Sequence, residues 1–398
     1  MRELRKKVVL LIFSAEADGE AVWGKLKREW DRRGADCTVI NLITCLPERL
    51  GSCLPKLYKM MIQHAPALWR KLYHRSNRPY TPLSPLLSPL CKEACKTLDR
   101  IQPDMLVTTH PLAAAVAGGW VGRCRTNERP ALFSVVNDYS MHGMSLSKEV
   151  NGVFLPDDEE IRSGQDSYPF SRFARGCISI RGTWSEPVDK EALRRQIGLP
   201  LHAKAAAVSG GREGLLPFRK IIRAFDRDAA GGWTLLCFTG ENRRDARRLI
   251  KADSSHDVRV FPFTPAYEDY VKAADLLITR PDSVTVTGAL HAQIPILVTA
   301  PLPGQEEQNI LRLKKHPLVH ECTPGMMGIA AEKVLSEADS PRENSFVTAG
   351  EMIDEMIAIS EEQDEKNQFR APERARVLRM NHILAMRAKQ DEEREFRS

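Results

Sequence analysis

Short unbroken apolar runs alternate with stretches of helical period along this chain, and the alternation occurs twice. In the first half the runs are Val8–Phe13, Cys37–Leu42, Met105–Thr108, Leu132–Val136 and Gly152–Leu155, with a helical stretch, Ala21–Arg33, linking the first two. In the second half they are Ala205–Ser209, Trp233–Thr239, Val258–Phe261, Leu276–Thr279 and Ile296–Thr299, with helical stretches at Leu215–Asp226, Arg243–Lys251, Tyr267–Ala274 and Val284–Ala292. A strand that is apolar throughout needs cover on both faces, so these runs predict parallel sheets packed between helices. Glycine, proline and a short charged helix break the series between Ile180 and Ala205. We therefore expect an α/β chain of two doubly wound domains, residues 1–182 and 183–345, facing a cleft lined by the C-terminal ends of strands, which is where open sheets bind ligands. Residues 346–398 read as a helical segment that either packs back or forms an exposed tail.

Composition adds little until charge is located. The 398 residues are 42% hydrophobic and 28% charged, ample for two ordinary cores. The net charge of +6 equals the local excess between Leu46 and Leu90, where seven Lys or Arg face one acid, Glu48. In that segment Leu57, Met61, Ala65, Leu68 and Leu72 have helical spacing, Trp69 and Tyr73 lie beside them, and Lys59, Arg70, Lys71 and Arg75 flank the stripe, with Pro66 dividing it into two short helices. Such a stripe suits an anionic membrane surface; a core helix with a solvated basic face would read the same way. The proline-rich "RPYTPLSPLLSPL" that follows reads as a loop. The mild overall basicity gives no reason to expect nucleic acid. Nine scattered cysteines without a C-x-x-C pair read as reduced thiols, and no metal site is expected. The N-terminal run "VVLLIF" is too short for a secretory core, and no segment approaches the ~20 apolar residues of a spanning helix. A cytoplasmic protein is expected.

Candidate chemistry sits in the turns after the strands. "VSGGREGLL" places Ser209, Gly210, Gly211 and Arg212 between strand and helix, where glycines let backbone approach a phosphate. "FTGEN" puts Gly240 after the next strand, and "VFPFTP" leaves Phe263 at a strand end as an aromatic for a base. "RPDSVTVTGA" carries Arg280, Asp282 and Ser283, and "PLPGQEEQN" offers Gly304, Gln305, Glu306 and Asn309 to sugar hydroxyls. In the first half Asp138 and His142 follow a strand end, Thr109 and His110 occupy a Thr-His-Pro turn, and Glu20 opens a helix. An acceptor hydroxyl needs a base within hydrogen-bond reach, and Asp138, Glu20 or His142 supplies one.

In this order the turns resemble a known pattern. "DLLITRPDSVTVTGALHAQIPILVTAPLPGQEEQN" is similar to the donor-site signature of bacterial and plant diacylglycerol glycosyltransferases. These include processive UDP-glucose lipid glucosyltransferases and monogalactosyldiacylglycerol synthases, and are related to the peptidoglycan transferase that glycosylates undecaprenyl lipid. The likeness continues through "TTHPL", "VVNDYSMH", "VFLPDDE" and "IRGTWSEPV", colinear over about residues 6–340. It implies a GT-B fold, two Rossmann-like domains with the nucleotide sugar on the second and the acceptor on the first. Transfer in that family is metal-independent and inverts the sugar; UDP-sugar is a co-substrate, and no cofactor is implied. The basic stripe, with Lys59, Leu68, Trp69, Arg70 and Lys71, then takes the place where the family approaches the bilayer. The implied location is peripheral, on the inner face of the plasma membrane, with a lipid acceptor.

Three departures from the family pattern bear on turnover. Asp282 and Ser283 stand where the family has paired glycines, Gly288 stands where it has the glutamate that holds ribose, and "SAEADGEA" replaces a Gly-x-Gly-His turn, with Glu20 near the missing histidine. A carboxylate at a helix start accepts the N–H groups a diphosphate would use and repels that diphosphate by ~1–4 kcal/mol per charge pair at ~4 Å. Asp282 is therefore expected to occupy the anion site itself, unless the turn tilts it to solvent. The expected function is a hexosyltransferase from UDP-sugar to a lipid hydroxyl. The alternatives are a degenerate member that binds lipid or a partner, and a soluble nucleotide-sugar enzyme such as an epimerase.

Overall fold

The computed structural model describes residues 6–13, 20–79, 88–125, 128–168, 171–178, 184, 186–337 and 346–362. The first half runs β1 (Lys7–Ile12), α1 (Glu20–Arg32), β2 (Asp36–Asn41), α2 (Glu48–His64), α3 (Pro66–Ser76), α4 (Ser88–Ile101), β3 (Met105–Thr108), α5 (Pro111–Val121), β4 (Ala131–Val135), β5 (Gly152–Leu155), α6 (Asp158–Ser167) and β6 (Arg172–Arg175). The second runs α7 (Lys190–Gln196), β7 (Lys204–Ser209), α8 (Phe218–Asp228), β8 (Trp233–Gly240), α9 (Arg243–Leu249), β9 (Asp257–Pro262), α10 (Tyr267–Ala273), β10 (Leu276–Thr279), α11 (Ser283–His291), β11 (Ile296–Val298), α12 (Gln305–Leu313), β12 (Val319–Glu321) and α13 (Met327–Ser336).

The strands form two six-stranded sheets, ordered β2-β1-β3-β4-β5-β6 and β12-β11-β10-β7-β8-β9, and every pairing is parallel. Each sheet reverses its strand order once, between β1 and β3 in the first and between β7 and β10 in the second. The second order is that of the dinucleotide-binding fold, in which the crevice at the reversal is the usual ligand position. Apolar clusters cover both faces of each sheet: Val9, Leu11, Leu106 and Leu132 face one way, Val8, Leu10, Val107 and Phe133 the other. The continuous apolar strands follow from this double cover. The strands β6 and β12, which the apolar pattern does not announce, are edge strands with the sequences RFAR and VHE.

After α13 the chain returns to the first half. Helical residues 349–362 bury Met352, Ile353, Met356 and Ile359 against Val8, Leu10, Met105 and Phe133. Arg33 ties the helix down from α1, bonding the Gly350 carbonyl at 3.0 Å and the Asp354 carboxylate. The residues beyond 362, with most of the acidic run Glu361–Glu365, lie outside the described residues, as do the "SAEADGEA" turn before Glu20 and most of the proline-rich segment. Among the described residues no helix is long and apolar enough to cross a membrane.

Because Met356 is wholly buried between the returning helix and the first sheet, Met356→Ala is expected to lower the unfolding free energy by about 2–5 kcal/mol. Chemical denaturation monitored by circular dichroism measures this, and an unchanged midpoint would mean that the helix does not contribute to the core.

Candidate functional site

The strand-end loops of the two sheets meet, and the contacts concentrate at the reversal of the second sheet. Asp282 precedes α11 in extended backbone (φ −77°, ψ 136°) and its Oδ1 accepts the N–H of Thr285 at 3.0 Å. It is thus the N-cap of α11, satisfying an N–H that the helix cannot satisfy itself. The residue is half-buried, while its Oδ2 is shut off from solvent without a hydrogen-bond partner. Burial raises its pKa, against the opposing pull of Arg280.

Arg280, 4% exposed, donates from Nη1 to Glu306 Oε1 at 2.8 Å, and its Nε has no partner. Its guanidinium reaches the turn after β7, where a Cβ on Gly211 (φ +68°) would stand 2.8 Å from Nη2. Glycine is required there both by backbone conformation and by this approach. Glu306 is buried on α12; its other oxygen accepts the Leu302 N–H at 2.7 Å, and desolvation pushes its pKa up to about 7.

Asp138 enters this group from the first half, in the loop after β4. Its Oδ1 accepts hydrogen bonds from the Ser283 hydroxyl and from Asn309 Nδ2, the latter at 3.1 Å. Asn309 is fully buried and also reaches Ser283 Oγ at 3.0 Å and the Pro281 carbonyl at 3.2 Å. Desolvation outweighs these donors and raises the Asp138 pKa to about 6. Asp138 and Glu306, ordinarily at 3.8 and 4.5, thus hold protons more tightly in the folded chain. Their burial therefore opposes folding increasingly as pH rises from about 4 towards 7, and not below that window.

Flanking bonds knit the same junction. Tyr139 OH lies 2.7 Å from Thr287 Oγ1, Gln305 Nε2 donates to the Ser140 carbonyl at 2.8 Å, and Tyr73 OH donates to Gln305 Oε1 at 2.5 Å. Arg70 grips Glu307 with Nε and Nη2, the shortest contact being 2.6 Å. Gly304 (φ +90°) packs where a Cβ would meet the Tyr73 ring at 2.8 Å.

Other candidates have local roles. Gly240 has φ +52°, and a Cβ there would stand 2.0 Å from the Arg212 carbonyl oxygen, so its lack of a side chain lets two neighbouring turns interlock. Gly210 packs against Gly214, Ser209 Oγ accepts from the Gly211 N–H, and Arg212 pairs with Glu241 at 2.9 Å. Phe263 is 63% exposed. His110 caps α5 by accepting the Leu112 N–H on Nδ1, which assigns the ring proton of the neutral form to Nε2, and burial lowers its pKa to about 4. Thr109, half-buried, precedes it. His142 accepts from the Met144 N–H on Nδ1 and lies 3.3 Å from Ser76 Oγ on Nε2, so both nitrogens are engaged within the fold. Glu20 opens α1, and its side chain lies outside the described residues.

The amphipathic segment divides at Pro66 into α2 and α3. Leu57, Tyr58, Met60, Leu68 and Leu72 are 44–53% exposed, with Trp69 packed edge-on against Tyr58. Arg70 and Lys71 are exposed beside them and Lys59 is half-buried. Of the expected stripe, Leu57, Leu68 and Leu72 are exposed, whereas Met61 and Ala65 are half-buried.

Gly288 lies under Trp184: a Cβ there would approach the indole to 2.7 Å. Trp184, Tyr139, Tyr73, Glu307 and Thr287 are participants that the turn patterns missed. For Tyr139 a signal existed, since it follows Asp138 at a strand end; nothing in the pattern pairs residue 73 with 305 or 184 with 288. A cavity of about 500 Å³ lies beside the Tyr139–Thr287 bond, walled by Asp157, Arg175, His291, Arg312 and Phe346. None of its lining residues is a donor candidate.

Residues 20–167 match the monogalactosyldiacylglycerol (MGDG) synthase family. The spinach (Spinacia oleracea) chloroplastic MGDG synthase is 27% identical over 274 residues, 65% of this chain and 51% of its own length. Over these residues the chain resembles the MGDG synthase family. It spans about half the length of the curated plant relatives it matches. Among solved structures, Acinetobacter baumannii MurG superposes with a TM-score of 0.54 at 14% identity, covering 83% of this chain and 90% of that one. The spinosyn rhamnosyltransferase SpnG in complex with thymidine diphosphate gives 0.54 at 12% identity, covering 90% and 96%. The fold of this chain is GT-B.

The Gly288–Trp184 contact has a measurable consequence. Gly288→Ala should destabilise the fold by about 1–3 kcal/mol through overpacking. Combined with Trp184→Ala it should cost clearly less than the sum of the two single changes, because removing the indole relieves the clash. Strict additivity in denaturation experiments would show that the two residues do not press on each other.

Proposed function

We propose that this chain is a glycosyltransferase that transfers a hexose from a UDP-sugar to the hydroxyl of a diacylglycerol-type lipid, with inversion, at an anionic membrane surface. The observation that carries the reading is the meeting of Asp138, from the first sheet, with the β10–α11 turn and α12 at the reversal of the second. That meeting brings a carboxyl with a pKa of about 6 to the anion-binding end of a helix and a buried guanidinium.

In the proposed reaction the diphosphate lies against the glycines after β7, the start of α11 and Arg280. Gln305, Glu306 and Asn309 serve sugar hydroxyls, and Phe263 covers the base. Asp138 takes the proton of the lipid hydroxyl as its oxygen attacks the anomeric carbon from the face opposite the diphosphate. The bond from that carbon to the diphosphate oxygen breaks, the nucleoside diphosphate leaves with the bonding pair, and a single displacement inverts the centre. Helix N-terminal N–H groups and Arg280 would stabilise the charge that develops on the leaving oxygen. No step calls for a metal. Leu57, Met60, Leu68 and Leu72, bordered by Lys59, Lys71 and Arg75, would rest on the bilayer, consistent with a peripheral protein on the inner face of the plasma membrane.

A second reading has a specific support. Asp282 already caps α11, and Trp184 covers Gly288, so chain atoms lie at both positions where the family pattern departs. A member that keeps fold and lipid surface without turnover would look the same.

Calorimetric titration with UDP-glucose separates the two. The enzyme reading expects saturable binding, weakened tenfold or more by Arg280→Ala, and absence of heat at millimolar ligand leaves the protein without a donor. For the surface, sedimentation with anionic vesicles at low salt should pull the protein down, and Leu68→Glu with Leu72→Glu should release it. Equal binding by the double variant would mean that the exposed stripe does not touch lipid.

A further inference from the structure

We infer that the anion subsite at the start of α11 is proton-gated: Asp282 fills it as an internal substitute for phosphate, and a sugar diphosphate enters together with a proton. The inference rests on the donor reading above and adds a requirement to it.

The geometry has two independent parts. First, Asp282 Oδ1 takes the Thr285 N–H that a bound anion would use, and Ser283 Oγ is already committed to Asp138. Second, Arg280 is nine-tenths buried with Nε unpartnered, pointing at the glycine turn after β7, and Thr279 Oγ1, fully buried just before it, is also without a partner. These are polar atoms of a site that the chain leaves incompletely satisfied.

The charges facing Asp282 come from every neighbouring element. Arg280 follows β10, Glu213 lies in the turn after β7, Asp138 in the loop after β4, and Glu306 on α12. Tyr267 of α10 contributes a phenol that burial keeps protonated. One guanidinium thus faces four carboxyl groups, and it is already bonded to Glu306. A diphosphate added to ionised Asp282 would meet the same sign of charge at the N–H groups it needs. Protonation removes one of these charges. Desolvation raises the pKa of Asp282, as it does those of Glu306 and Asp138. Anion binding should therefore strengthen as pH falls.

The test uses the full-length protein and UDP-glucose, whose diphosphate is doubly esterified and carries no proton that titrates near neutral pH. Calorimetry between pH 5.5 and 8, repeated in buffers of different ionisation enthalpy, reads affinity and proton uptake together. The expected result is net uptake approaching one proton and affinity falling by up to about tenfold per pH unit. Asp282→Asn and Asp282→Ser both keep an N-cap acceptor. Each is expected to bind at least tenfold more tightly than the parent at pH 8 and to lose most of the uptake. Binding without proton exchange in the parent, or undiminished uptake in both variants, overturns the inference and leaves the donor reading standing. Failure of all three proteins to bind at any pH overturns both.

Discussion

One buried guanidinium facing too many carboxyls is the constraint on which this junction turns. Arg280 cannot leave, because its chain is fixed at the end of β10, and it cannot be satisfied fully, because Glu306 takes one nitrogen and nothing takes Nε. Burying an ion in this way is costly unless it is paired and hydrogen-bonded. Burial makes Asp282, Glu306 and Asp138 harder to ionise, and Arg280 opposes that shift at Asp282 and Glu306. The scaffold around this cluster is regular: β7 and β10 pair in register beside it, and apart from Lys204 at the start of β7 both are buried.

The parallel topology explains why this cluster exists at all. In a doubly wound sheet each strand ends at the same edge, so turns distant in sequence become neighbours, and the reversal between β7 and β10 leaves a crevice there. The first sheet presents the loop after β4 to that crevice. Asp138 therefore finds Ser283 and Asn309, which lie 145 and 171 residues away along the chain.

Much of this was legible before any coordinates. The strands β3, β5 and β10 follow from unbroken apolar runs, and α11 from its period and its capping aspartate, because burial on both faces writes itself into composition. The edge strands β6 and β12 were not legible, since RFAR and VHE contain no apolar run. The glycine turns were legible as turns but not as to purpose. Gly211 meets Arg280, whereas Gly240 and Gly214 lack side chains because two turns interlock, and sequence gives both the same letter. The cross-cleft pairs Tyr73–Gln305 and Arg70–Glu307 were invisible, for they depend on how two independently patterned halves come to rest.

Asp282, the N-cap of α11, and Gly288, within that helix, differ in kind. Asp282 stabilises the helix by about 0.5–2 kcal/mol as an N-cap, yet a proton can neutralise it and a rotation can withdraw it. Trp184 against Gly288 is different: an indole 7% exposed, packed edge-on to Tyr267 at 6.2 Å, cannot be titrated away. A carboxylate at 288 would require the indole to move, which a closely packed interior resists.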